Sequence, residues 1–147
     1  WNLNAIRWNS DTGLVCYRLF EGPLKQTQQC LTVQSSPNGT LVAGEPVSLG
    51  HSMVRAPMAA LSDTRAVVCR DHNNTVLNCT VLSNDFELQS AGEITVVSTN
   101  TIDRTVIPID DKRAVICYDQ PGIYECAAIH TTQLVTGTPV FVGNGSD

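Results

Sequence analysis

Six cysteines, three histidines and a scatter of acidic and hydroxyl side chains are the groups in this 147-residue chain that could do chemistry. Cysteines could hold zinc, but zinc sites pair them two to four residues apart, and no two cysteines here lie that close. His51, His72 and His130 stand in unrelated settings and supply no set of ligands, so no metal is expected. Asp11, Asp63 and Asp111 each sit in a short polar turn and could offer carboxylates to calcium. Calcium takes six to eight oxygens, however, and no D-x-D-x-D-G loop is present. The Asp and Ser residues of these turns read instead as caps that bond their own backbone. Acyl transfer needs a nucleophile, a base and a group that orients the base. Serines and threonines are plentiful, yet none lies in a G-x-S-x-G elbow. Neither a phosphate-cradling glycine loop nor a lipidation signal occurs. No catalytic residue and no cofactor is therefore assigned.

The cysteines do share a frame. Ser10-Asp11-Thr12-Gly13-Leu14-Val15-Cys16-Tyr17-Arg18 matches Ser62-Asp63-Thr64-Arg65-Ala66-Val67-Val68-Cys69-Arg70-Asp71, and both match Asp110-Asp111-Lys112-Arg113-Ala114-Val115-Ile116-Cys117-Tyr118-Asp119. A second cysteine follows each, at Cys30, Cys79 and Cys126. A further block starts at Leu41, Leu88 and Leu134, and runs through Gly44-Glu45-Pro46-Val47, Gly92-Glu93-Ile94 and Gly137-Thr138-Pro139-Val140. Two blocks in fixed order, three times over, define tandem repeats with a period of about fifty residues. The repeats cover about 1–50, 51–98 and 99–147 of a single domain, long enough to bury a core.

Short strands must position these blocks. In the second repeat the candidates are 56–61, 66–70, 76–82 and 93–97, separated by turn-forming Ser62-Asp63-Thr64, Asp71-His72-Asn73-Asn74 and Ser83-Asn84-Asp85. Four strands of about five residues make a small antiparallel meander. No segment keeps an i, i+3, i+4 apolar spacing, so essentially no helix is expected. The fold class is all-β: three tandem four-stranded antiparallel repeats, with a β-sandwich of similar strand count as the alternative.

The Ser-Asp-Thr turn, the Arg-Ala-Val-Val-Cys strand after it and the later Gly-Glu-Ile or Gly-Thr-Pro-Val strand carry a resemblance. Over nearly the whole chain they resemble blade repeats of secreted or surface β-propeller proteins of algae, protists, viral tail fibres and adhesins. The resemblance implies one four-stranded blade per repeat and is nearly silent on function. Three blades are fewer than the four to eight that close a ring, so either the chain is part of a longer polypeptide, or other chains or copies complete the ring, or the blades pack in another, filamentous way.

In each repeat the two cysteines fall on the second and third strands, neighbours in a meander and within bonding reach. The expected bridges are Cys16–Cys30, Cys69–Cys79 and Cys117–Cys126, each worth about 3 kcal/mol from loop closure. Bridges of this kind belong to an oxidising compartment, so the chain is expected to be secreted or on an extracellular surface. Asn38, Asn73, Asn78 and Asn144 lie in N-x-S/T sequons and are the expected carriers of covalent N-glycans. Asn78 falls within a strand and needs an outward-facing side chain to be modified.

Net charge is −5, which argues against nucleic acid as a partner, and no apolar run is long enough to span a membrane. Trp1 and Trp8 have no counterpart in the other two repeats; they either cover an apolar edge or insert into the next subunit, and are the candidate assembly contact. Tyr17 and Tyr118 follow the first cysteine in two repeats, where the second has Arg70. They serve either as packing between blades or as sugar contacts, packing being the favoured reading. An enzyme of sialidase or lyase type would need a non-repeating acid, base and arginine cluster, and Arg7, Arg55 and Arg104 do not share an offset. The sequence therefore leads to a non-enzymatic extracellular glycoprotein module, a structural subunit of a coat, appendage or fibril that associates with itself or with other chains. A carbohydrate-binding, adhesive propeller is the alternative.

Overall fold

Around each first cysteine the residues alternate between two environments, as a strand's period of two requires. Thr12, Leu14 and Cys16 are buried, whereas Gly13, Val15 and Tyr17 between them are only half-buried. The same alternation builds three antiparallel meanders in the computed structural model, which describes residues 3–20, 22, 26–51, 56–72, 76–85, 87–97 and 104–144. The first sheet contains β1 (Leu3–Arg7), β2 (Thr12–Phe20), β3 (Gln26–Ser35), β4 (Leu41–Ala43) and β5 (Val47–His51). The second contains β6 (Met58–Ser62), β7 (Arg65–His72), β8 (Val76–Ser83) and β9 (Gln89–Val97). The third contains β10 (Arg104–Pro108), β11 (Arg113–Gln120), β12 (Ile123–His130), β13 (Val135–Thr136) and β14 (Val140–Asn144). No helix occurs among the described residues.

Only the second sheet has the four uninterrupted strands expected of each repeat. In the first and third, the last strand is broken into two pieces that both pair with the third strand. Val47, Ile94 and Val140 stand opposite Cys30, Cys79 and Cys126, which aligns Pro46, Glu93 and Pro139. Proline has no N–H to give the ladder, so the strand stops there. Glu93 carries its N–H, and β9 runs through.

The turns before β2, β7 and β11 are capped by side chains. Asn9 Oδ1 accepts the backbone N–H groups of Asp11 and Thr12 at 3.0 and 2.9 Å. Ser62 Oγ accepts that of Thr64 at 3.4 Å, and Asp110 Oδ1 that of Lys112 at 2.9 Å. In the first repeat the cap is thus Asn9, one residue earlier than the Ser10-Asp11 pair the repeat pattern suggested. Asp11, Asp63 and Asp111 are all exposed.

Two buried clusters hold the sheets together. Leu14, Cys16 and Cys30 meet Ala66, Val68 and Leu82 between the first and second sheets. Val67, Cys69, Leu77, Cys79 and Val81 meet Ala114, Ile116, Tyr118 and Ile129 between the second and third. Trp8 is 4% exposed in the first cluster, and its Nε1 donates to Ser62 O at 2.9 Å. Of the two expectations for Trp8, covering an apolar edge is the one this packing supports, and the contact with another subunit is corrected: Trp8 packs the first repeat on the second. Trp1 lies outside the described residues.

Candidate functional site

Each sheet has two unlike faces, and strand alternation fixes which residues each face shows. The three disulfides join Cys16–Cys30, Cys69–Cys79 and Cys117–Cys126, each between residues directly opposite across the second and third strands. The first two point towards the following sheet, because Cys16 and Cys30 lie in the first cluster and Cys69 and Cys79 in the second. The opposite face of the following sheet covers them, through Ala66 and Val68 in one case and Ala114, Ile116 and Tyr118 in the other. Stacking is thus directional: a disulfide face meets a face carrying a small residue, a β-branched residue and then Tyr or Arg.

Two faces are left without a counterpart among the described residues. One is the disulfide face of the third sheet, where Cys117 and Cys126 are only half-buried. Together with Thr105, Tyr124 and Val142 they line an open, mainly apolar cleft of about 480 Å³. The other is the first sheet's Gly13, Val15 and Tyr17 face, which continues over Leu31 and Val33, their partners on β3. Exposed large apolar side chains follow the same division. They include Leu3 and Leu41 in the first repeat and Ile107, Tyr124, Val140 and Val142 in the third, and among the described residues none lies in the second.

The repeated tyrosines belong to this system of faces. Tyr118 is 2% exposed between the second and third sheets, so its ring offers no surface to a sugar. Tyr17, its counterpart, is half-buried on the open face and donates its hydroxyl to Gln29 Oε1 at 2.9 Å. The Tyr118 phenol is pushed up to about 12 from 10.0, first by burial and then by the negative charge of Glu125 on the adjacent strand. Folding favours the neutral phenol. Stability is therefore intact below about pH 10 and falls as pH rises through about 12. Ultraviolet titration is expected to show a late phenolate step near 12 that Tyr118→Phe removes.

The sequence reading missed two ion pairs at the sheet interfaces. Arg70 Nη2 binds Glu93 Oε1 at 2.8 Å, and its Nη1 donates to His51 O of the first sheet at 3.3 Å. Arg104 of the third repeat approaches Asp71 of the second at 3.6 Å, with both side chains 2% exposed. The first had a signal in the sequence. Arg70 replaces the tyrosine, and Glu93 the proline, of the other two repeats, so both exchanges fall in the same repeat.

The remaining candidate residues are dispersed. Asn38 and Asn144 are exposed, and Asn38 Oδ1 accepts the N–H of Thr40 at 3.1 Å in the turn after β3. Asn73 lies outside the described residues. Asn78 stands opposite Arg70 with its amide oxygen buried, and Thr80 of its sequon is 3% exposed. Among the described residues no three His, Cys, Asp or Glu side chains converge as a metal site would require. Nor is any helix there long and apolar enough to cross a membrane. Compared with protein-family models and with curated proteins, the chain matches none.

Proposed function

We propose that this chain is a non-enzymatic extracellular glycoprotein module, a structural subunit of a surface coat, appendage or fibril. The observation that carries this reading is where, among the described residues, the exposed large apolar side chains fall: on the two terminal repeats, and not on the central one, whose faces are both covered. A repeat array buries a continuous core only where neighbours stack, so uncapped ends call for further sheets. Three sheets also fall short of a closed propeller, in keeping with the blade resemblance. One disulfide per sheet suits an oxidising compartment, and exposed Asn38 and Asn144 suit N-glycosylation.

Electron microscopy of the native, non-reduced protein, with glycopeptide mass spectrometry on the same sample, tests the proposal. Ordered filaments or rings are expected, carrying sugar at Asn38. Asn78 is expected to be bare, because its amide oxygen and Thr80 are committed to the interior. Dispersed particles without sugar would overturn the reading.

A further inference from the structure

Beyond the disulfide and its apolar surround, each internal junction repeats a smaller feature. Leu41, Leu88 and Leu134 occupy one position, at or just before the fourth strand, as the pairings Ser35–Leu41, Ser83–Gln89 and His130–Val135 show. Gly44, Gly92 and Gly137 occupy another, each opposite the residue two after the second cysteine. Gly44 donates its N–H to Thr32 O and Gly137 to Ala128 O, both at 2.8 Å, while Gly92 pairs with Val81. At the second junction Leu134 lies over Gly92 so closely that a Cβ there would collide with its methyl groups. At the first junction Leu88 packs against the buried cluster and lines one cleft with Gly44. At the second junction a leucine of the following repeat thus sits on the glycine of the one before, and at the first the two share a cleft while Thr32 lies nearest to Gly44.

At the ends of the chain the two halves of this feature are separated. Leu41 is 68% exposed on the open edge of the first sheet. A Cβ at Gly137 would meet only Ala128, its own strand neighbour, at ordinary contact distance. We propose that a second copy of this chain covers the open face of the third sheet, head to tail. Its Leu41 then sits over Gly137, and its Val15 and Tyr17 lie over the Cys117–Cys126 bridge. This rests on the assembly reading above and specifies the occupant and the contact.

The occupant follows from the repeats. Val15 and Tyr17 are the counterparts of Ile116 and Tyr118, which cover the Cys69–Cys79 face inside the chain. The copy's first sheet therefore offers the kind of surface that already closes the internal junction. The buried Arg104–Asp71 pair is not a requirement of the contact, since Ala56 and Arg18 hold the corresponding places at the first junction. A contact between different faces is heterologous, so it either closes two copies into a six-sheet ring or continues as a filament.

The test places a photo-crosslinking side chain at position 41 of the intact, non-reduced protein and locates its products by mass spectrometry. Crosslinks to residues around Gly137 of another copy are expected. Leu41→Asp is expected to weaken self-association by about ten- to a hundredfold in sedimentation velocity. Gly137→Trp is expected to abolish the crosslink without lowering the melting temperature, because a Cβ there meets only Ala128, at ordinary contact distance. Crosslinks between position 41 of two copies, or association unaffected by both variants, would overturn the head-to-tail contact and leave the assembly reading standing. A protein that stays monomeric at high concentration, with no crosslink, would overturn both.

Discussion

Replacing Cys69 and Cys79 together by alanine is expected to lower the unfolding free energy by about 4–5 kcal/mol in a denaturant titration without reductant. Replacing Cys117 and Cys126 in the same way is expected to cost about 3 kcal/mol. Loop closure alone does not separate the two, because the bridges enclose separations of 10 and 9 residues and each removes about 3 kcal/mol of unfolded-state entropy. Burial does. Cys69 and Cys79 are wholly buried between the second and third sheets, so their sulfurs leave a cavity worth about 1–2 kcal/mol more. The third bridge faces the open cleft, where solvent fills the space. Equal losses would show that the third sheet's face is covered in solution as closely as the second's. In an associated protein the gap between the two variants should accordingly narrow as concentration rises.

That contrast was half legible in the sequence. Six cysteines at a fixed place in three repeats sufficed to pair them, because a meander sets its second strand beside its third. The direction in which each bridge points was not legible. It depends on which face of each sheet the next one covers, and the alternation about Cys16, Cys69 and Cys117 is compatible with either. Composition did not separate the repeats either: Ala114-Val115-Ile116-Cys117 is as apolar at successive positions as Ala66-Val67-Val68-Cys69, yet only the central strand is buried on both faces. A strand buried on both sides loses the alternation that marks a half-exposed one. In the flanking repeats the alternation appears in burial and not in the letters, because one face of each is open.

Individual residues were decided by tertiary packing and not by position in the chain. Trp8 has no counterpart in the other repeats and lies near the end, which left both an apolar edge and a contact with another molecule open. Its indole instead needs both an apolar bed and an acceptor, and Ser62 O supplies the acceptor within the same chain. At Asn78 the sequon is intact in the letters, yet β8 is an inner strand of a covered sheet and the amide oxygen there is buried. The split fourth strands were in principle readable, since Pro46 and Pro139 stand at matched places and Glu93 does not share their missing donor.

Gly92→Ala is expected to cost about 2–4 kcal/mol, whereas Gly137→Ala at the equivalent position should fall within about 0.5 kcal/mol of the parent. Two effects add at Gly92. Its φ of +147° lies where side-chain-bearing residues are strained, which costs about 1–3 kcal/mol. The new methyl group also drives Leu134 from its seat, and Leu134 is held there with a left-handed φ of 55° of its own. Leu134 remains 37% exposed and can swing aside, so this second part is the smaller, about 1 kcal/mol. Adding Leu134→Ala to Gly92→Ala should therefore recover the packing part and leave the backbone part, a coupling that a double-mutant cycle reads directly. Gly137 has neither constraint, for its φ is not positive and only Ala128 lies near it. If a second copy seats Leu41 over Gly137, the alanine there should be silent in the isolated chain and felt only on association. The same substitution at two equivalent glycines thus separates what holds the three sheets together from what joins them to a fourth.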